Sequence, residues 1–224
     1  MTIAARWGAS LTVVNIFTAR PAFAHADAPT WGLGAEPWLA VILVIALALY
    51  VRGLYALQST ATNPTHVKRL AVCFALGWAA IAIALVSPLA FESAGLYSAH
   101  MVQHELLMVI GAPLMVLGRP LAIWTWGLPA HSRPAAARPF RQRAVSAAWH
   151  LITTPLSATL LHAAAIWVWH VPYLFERAQS SEILHALQHS AFLFSALLFW
   201  WMLLKPGGEQ RIGAALLCLF ITML

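Results

Sequence analysis

The sequence predicts an all-α fold: a polytopic transmembrane helix bundle with five full spans plus an incomplete sixth. Of its 224 residues, 61% are hydrophobic and only 9% are charged, against roughly 45–50% and about 25% in soluble domains. That apolar excess is more than one core of this size can bury, which sets aside a soluble enzyme or a DNA-binding module. The apolar residues also fall into runs of about 20, the length a helix needs to cross a hydrocarbon layer about 30 Å thick. The net charge of +6 is not gathered into a basic stripe but alternates from loop to loop, so no nucleic acid partner is expected. Cys73 and Cys218 sit inside apolar stretches with no Cys-x-x-Cys pairing, which argues against a disulfide framework or a thiolate zinc site.

Residues 1–24 read as a signal peptide. Arg6 precedes the apolar stretch Trp7–Phe17, and Ala22-Phe23-Ala24 supplies a small-x-small cleavage site. Residues 25–37 then form a periplasmic N-terminal segment, and 38–224 a transmembrane helical domain. Its spans are expected at about Trp38–Leu57, Leu70–Phe91, Leu96–Leu117, Thr154–Phe175 and Ile183–Leu204. A sixth run begins near Ile212 and meets the chain end at Leu224. A helix over that stretch would rise only about 20 Å, so the domain reads as truncated at its C-terminus. Pro113 in the third span and Pro88 near the end of the second predict kinks or loosened turns. Gly111 and Gly118 offer small surfaces where helices can approach.

Orientation follows from lysine and arginine in the short loops. Arg52, Lys68 and Arg69 lie between the first two spans. Arg119, Arg133, Arg138, Arg141 and Arg143 lie between the third and fourth, and Lys205 and Arg211 follow the fifth. Ten of the thirteen basic residues thus fall on one set of helix ends, read as cytoplasmic. The mature N-terminus is then periplasmic, as a cleaved signal peptide requires. Trp31, Trp38, Trp167 and Trp169 near outer ends, and Trp200 and Trp201 near an inner end, read as interfacial anchors.

The functional signal is in the histidines. His100 and His104 are spaced four apart at the outer end of the third span, and His185 and His189 likewise in the fifth. His170 sits near the outer end of the fourth span, with His162 about two turns deeper. Residues i and i+4 share one helical face, so each pair can aim both imidazoles at one spot. Polar nitrogens in hydrocarbon need partners, and three helices contribute them in a single leaflet. That grouping points to a metal or cofactor site. Imidazole suits copper, zinc, iron or nickel, and a thioether selects copper(I). Met108 extends the His100–His104 stripe by one more turn, which makes it a candidate ligand. Glu105 and His162 are candidates for a hydrogen-bonding or proton-relay role beside the ligands. No nucleophile–base arrangement is visible, so catalysis is not expected.

The stretch from His100 to Met108 (His-Met-Val-Gln-His-Glu-Leu-Leu-Met) is followed by Ala112-Pro113-Leu114 and Leu117-Gly118-Arg119-Pro120. With His170-Val171-Pro172, His185-Ala186-Leu187-Gln188-His189, Phe192 and Phe199-Trp200-Trp201, it resembles the multi-spanning CtaG family of cytochrome c oxidase assembly factors. The resemblance covers about Trp38 to Leu224. It implies a multi-pass protein of the bacterial inner membrane that works with cytochrome c oxidase subunits or their copper chaperone. It further implies a part in supplying or inserting copper, for which the residues themselves offer His100, His104, His170, His185, His189 and Met108 as ligands. Family members normally continue through a complete sixth and a seventh span, where this chain stops. Two other functions are compatible with the residues themselves. Histidines on different helices, such as His104 and His189, could be axial ligands in a haem-binding membrane redox protein. A copper or proton transporter would need polar groups through the whole bilayer depth, and the inner halves of the spans are almost entirely apolar.

Overall fold

The computed structural model describes residues 37–58, 61, 63–87 and 97–204, and these are helical with no strand among them. Four stretches are long and apolar enough to cross a membrane: Trp38–Gln58, Pro64–Val86, Ser98–Gly118 and Glu182–Leu204. The bent pair Arg143–Ile152 and Pro155–Trp169 passes the same length and composition test only when the two helices are counted together. The signal segment 1–24, the N-terminal segment up to residue 36 and the sixth run from Ile212 lie outside the described residues.

Helix α1 spans Pro37–Gln58 and α2 spans Pro64–Val86. α2 begins six residues before its apolar run, because Asn63 and Pro64 start it. The Asn63 side chain accepts the His66 N–H at 3.0 Å, and Pro64 occupies the first turn, where no N–H is needed. It stops at Val86 rather than at Phe91. Ser87 is extended (φ −87°, ψ 173°), the conformation favoured in a residue that precedes a proline, here Pro88.

The third span is continuous but not uniform. It comprises α3 (Tyr97–Glu105), a π-helical turn (Leu106–Gly111) and α4 (Ala112–Gly118). The sequence reading of a loosened helix at Pro113 takes this specific form. The Ala112 N–H bonds to the Leu107 carbonyl, one residue beyond its α-helical partner. In that register the Met108 carbonyl would await an N–H from residue 113, which is proline and has none. Trp200 fills the gap, donating its indole N–H to the Met108 carbonyl at 2.8 Å. Trp200 is therefore an interhelical tie rather than an interfacial anchor.

The stretch Gly118–Thr153, read from sequence as a loop, is largely helical. Arg119 takes the left-handed conformation (φ 48°) and turns the chain into α5 (Pro120–Gly127), followed by α6 (Arg133–Ala137), a 3-10 turn (Pro139–Arg141) and α7 (Arg143–Ile152). The glycine stands one residue earlier because a Cβ on Gly118 would sit 2.8 Å from Phe74 Cβ. α5 is too short to read as a span yet apolar enough to pack along α1. A Cβ on Gly53 would lie 2.0 Å from the Ile123 carbonyl oxygen, and one on Gly127 would lie 2.5 Å from that of Leu49. Aromatic donors fasten this corner. Trp124 Nε1 donates to the Ala46 carbonyl at 2.8 Å, and the Tyr50 hydroxyl reaches the carbonyls of Gly118 (2.8 Å) and Leu70 (3.0 Å).

The fourth span expected over Thr154–Phe175 is broken. α8 runs Pro155–Trp169, and a separate helix α9 runs Pro172–Ser180. Pro172 is the cause: the preceding Val171 is extended (φ −60°, ψ 126°), so the helix cannot pass through it. α8 meets α7 at a 70° bend. The last described helix, α10, spans Glu182–Leu204 and matches its expected span. Trp169 is buried against Ala178 and Phe192, so it too belongs to the packing rather than to an aromatic belt, whereas Trp167 and Trp38 are exposed.

Replacing Gly53 with valine should push α5 off α1. A loss of about 1–3 kcal/mol is expected from such overpacking, read as a lower unfolding midpoint in detergent. Val44→Ala on the exposed face of α1 should leave the midpoint nearly unchanged.

Candidate functional site

The third span packs on α10 through its π turn and α4, the rings of α3 reach α10 in parallel register, and both helices carry the pattern His-x-x-Gln-His. His100, Gln103 and His104 on one helix, and Gln188 and His189 on the other, fall at i, i+3 and i+4 positions that share a face. All five are buried: His100 and His104 are 2% exposed, Gln103 and Gln188 1%, and His189 7%. His185, at the start of α10, is half-buried.

The two pairs meet in register. Ring centroids lie 4.2 Å apart for His100 and His104, and 4.3 Å apart for His185 and His189. Across the helix interface, His100 lies 5.9 Å from His185 and 6.3 Å from His189, and His104 lies 5.3 Å from His189. Phe192 closes the floor against His104 at 4.6 Å, and Phe175 of α9 stands edge-on to His100 at 5.7 Å. The four imidazoles therefore occupy one apolar-walled space between two helices.

Their hydrogen bonding is incomplete. Among the described residues His100 Nε2, both nitrogens of His104 and His189 Nε2 are buried without a partner. So are Gln103 Oε1 and both polar atoms of the Gln188 amide. Gln103 Nε2 is satisfied, donating to the Ala84 carbonyl of α2 at 2.8 Å. A buried polar group left unpaired costs about 1–3 kcal/mol, and native structures hold few of them. Seven such atoms on α3 and α10, four of them imidazole nitrogens of rings that touch one another, make this the candidate site among the described residues.

Of the other candidates from the sequence, His170 borders the cluster and the rest lie farther from it. His170 caps α8, is exposed, and has Nδ1 2.7 Å from the Ile166 carbonyl. Its ring contacts are with Phe175 and Phe192, the two phenylalanines that also border the cluster. Met108 is half-buried among Trp169, Ala178 and Phe192, a layer below the histidines. Glu105 is exposed, about 100° around α3 from His104, whereas the imidazoles are on the buried face. His162 is buried, with Nδ1 3.0 Å from Ser195 Oγ and its ring stacked on Phe199 at 5.2 Å. Ser195 Oγ in turn donates to the Phe192 carbonyl at 3.1 Å. His162 thus ties α8 to α10 beneath the cluster.

Gln103 and Gln188 were not singled out by the sequence reading. The signal was present as the repeated His-x-x-Gln-His on two spans, 85 residues apart, and a repeat of buried amides beside buried imidazoles is the feature that could have found them.

The residue types would suit a metal that prefers imidazole: four imidazoles and no thiolate, with unpaired nitrogens on His100, His104 and His189. Among the described residues no group of three or more His, Cys, Asp or Glu side chains is already arranged to hold an ion. Ring rotation about χ1 and χ2 would be needed to turn the nitrogens inward. A porphyrin fits less well, because rings 5.3 Å apart at 77°, backed by Phe192, leave no slot for a plate between His104 and His189.

In comparisons with known proteins, the family model described as cytochrome c oxidase caa3 assembly factor (Caa3_CtaG) matches residues 48–224. Comparison with curated proteins and with solved structures returns no match.

Removing the indole donor with Trp200→Phe should leave the Met108 carbonyl unpaired below the cluster. The expected cost is about 1–3 kcal/mol, seen as a lower unfolding midpoint in detergent, while Trp201→Phe at the exposed neighbouring position should cost less.

Proposed function

The chain belongs to the family of cytochrome c oxidase caa3 assembly factors, and we propose that its part in assembly is to bind copper between α3 and α10 and pass it on. The observation that carries this reading is the set of orphaned imidazole nitrogens on His100, His104 and His189, in a space that His185 completes. A nitrogen lone pair in apolar surroundings has two remedies, a hydrogen-bond donor or a metal, and these residues offer one another few donors.

The chain's own groups would work as follows. His100 and His104 present two nitrogens from one helical face, and His185 and His189 present two from the other. The ion is cargo, accepted at the end of the bundle where His170 and α9 lie. Phe192 and Phe175 exclude water around it and so strengthen its bonds to the imidazoles. Gln103 and Gln188 can take up the remaining ring N–H groups and hold the rings in one orientation. Release occurs by ligand exchange with a receiving site on an oxidase subunit or its copper chaperone, without covalent chemistry or turnover. Met108 lies a layer deeper and would serve as a transient thioether contact rather than as a primary ligand.

The distribution of arginine and lysine supports placing the histidine end on the outer, periplasmic side of a bacterial inner membrane. That face is where copper reaches an oxidase without crossing the bilayer. The loops at the opposite helix ends carry most of the basic residues.

Detergent-purified chain loaded with copper(I) and desalted should retain copper stoichiometrically. His100→Ala/His104→Ala should abolish that retention without changing the helical circular dichroism. His162→Ala should keep the copper while lowering stability, because His162 ties α8 to α10 rather than lining the cluster. A chain that holds no copper after loading would refute the reading, and a Soret band would replace it with haem binding.

A further inference from the structure

α7 (Arg143–Ile152) has no buried residue and is strongly two-sided. At 100° per residue, Val145, Ala148, Trp149 and Ile152 fall on one face, and Arg143, Ser146 and His150 on the other. Among the described residues this apolar face is only partly covered: Val145 and Trp149 are exposed, Ile152 is half-buried, and Trp149 stands edge-on to Trp201 of α10 at 5.8 Å. The helix lies at 70° to α8, across the direction of the bundle rather than along it.

Charge in this region is one-signed. No acidic residue occurs between Gly118 and Thr153. Arg133 is used internally, donating to the carbonyls of Leu128 (3.1 Å) and Trp126 (2.9 Å) with its guanidinium 4.7 Å over the Trp126 ring. It closes the C-terminal end of α5. Arg138, Arg141 and Arg143 are exposed, and among the described residues none of them has a carboxylate partner. Phe140, between the first two, is exposed as well.

We propose that the 3-10 turn Pro139–Arg141 and α7 form an interfacial docking surface for anionic phospholipid. Val145, Ala148, Trp149 and Ile152 enter the acyl boundary, and Arg138, Arg141 and Arg143 bind headgroup phosphates. Three features together select lipid as the occupant. The helix crosses the bundle direction, as a helix lying in the interface plane does. Among the described residues its apolar face is only partly covered, while its other face begins with Arg143 and carries no acid. The three arginines complement the anionic surface of a bacterial cytoplasmic leaflet. A single phosphate would explain the arginines but not the apolar face. The surface is independent of the copper reading and stands or falls separately from it.

Native mass spectrometry of the full chain, purified in detergent and offered phosphatidylglycerol or phosphatidylcholine, tests the surface. The chain should retain phosphatidylglycerol in clear preference, and excess inorganic phosphate should not displace it. At roughly five-fold per charge, Arg138→Gln/Arg141→Gln/Arg143→Gln should reduce that preference on the order of 100-fold. The corresponding triple lysine variant should keep most of it, and Trp149→Ser should weaken retention with all the charges intact. These positions are exposed, so folding should be unaffected, which circular dichroism checks. Equal retention by the triple glutamine variant would overturn the proposal. So would displacement by phosphate alone, or a triple glutamine variant that keeps its lipid but loses an oxidase subunit in co-purification.

Discussion

A polar nitrogen inside a helix bundle has to be matched, because neither lipid nor an apolar neighbour can bond to it. The packing of α3 against α10 is organised around that demand, and among the described residues it is not met. His100, His104 and His189 are buried with unpaired nitrogens, and Gln103 and Gln188 add unpaired amide atoms beside them. An apolar pair of helices would pack at lower cost without these residues. Their presence at matching positions on two helices running the same way is what sets this end of the bundle apart from an ordinary apolar core and supports the proposed copper site.

The rest of the bundle holds that end in place by tying backbone carbonyls to side-chain donors. Gln103 bonds to Ala84 on α2, Trp200 covers the carbonyl that Pro113 leaves without a partner, and His162 links α8 to Ser195 on α10. The π turn at Leu106–Gly111 has a further consequence. It shifts the phase of the third span just below His104, so Leu107 and Gly111, not Met108, continue the buried line. The regular spacing of the expected stripe His100, His104 and Met108 is thereby broken, and Met108 packs against the cluster that holds Phe192. At the other end of the molecule, the close contacts at Gly53 and Gly127 and the hydroxyl of Tyr50 lock α5 onto α1. Beyond α5, neither α6, the 3-10 turn nor α7 has a buried residue.

Much of this was legible in the residues. The first, third and fifth spans follow from run length alone, and the i,i+4 histidine pairs identified the two helices whose rings meet. What was not legible has local causes. Asn63 and Pro64 begin α2 before its apolar run, and Pro172 divides a run that reads as continuous by hydropathy. α5 escaped notice because a short apolar helix has no length signature, and only the glycines at its contacts with α1 betray it. Trp169 and Trp200 look like interfacial tryptophans in sequence, since position near a helix end does not say whether an indole faces lipid or a neighbouring carbonyl. Glu105 adjoins His104 in sequence but is turned away by the helix, whereas Gln103, equally adjacent, is turned inward.

The central claim is that one copper ion is held by imidazoles from both α3 and α10. X-ray absorption at the copper edge of the copper(I)-loaded chain tests it most directly. The account predicts nitrogen scatterers at about 2.0 Å with the outer-shell pattern of several imidazoles, reduced by His104→Ala and, independently, by His189→Ala. A spectrum dominated by sulfur, or one unchanged by either substitution, would contradict it.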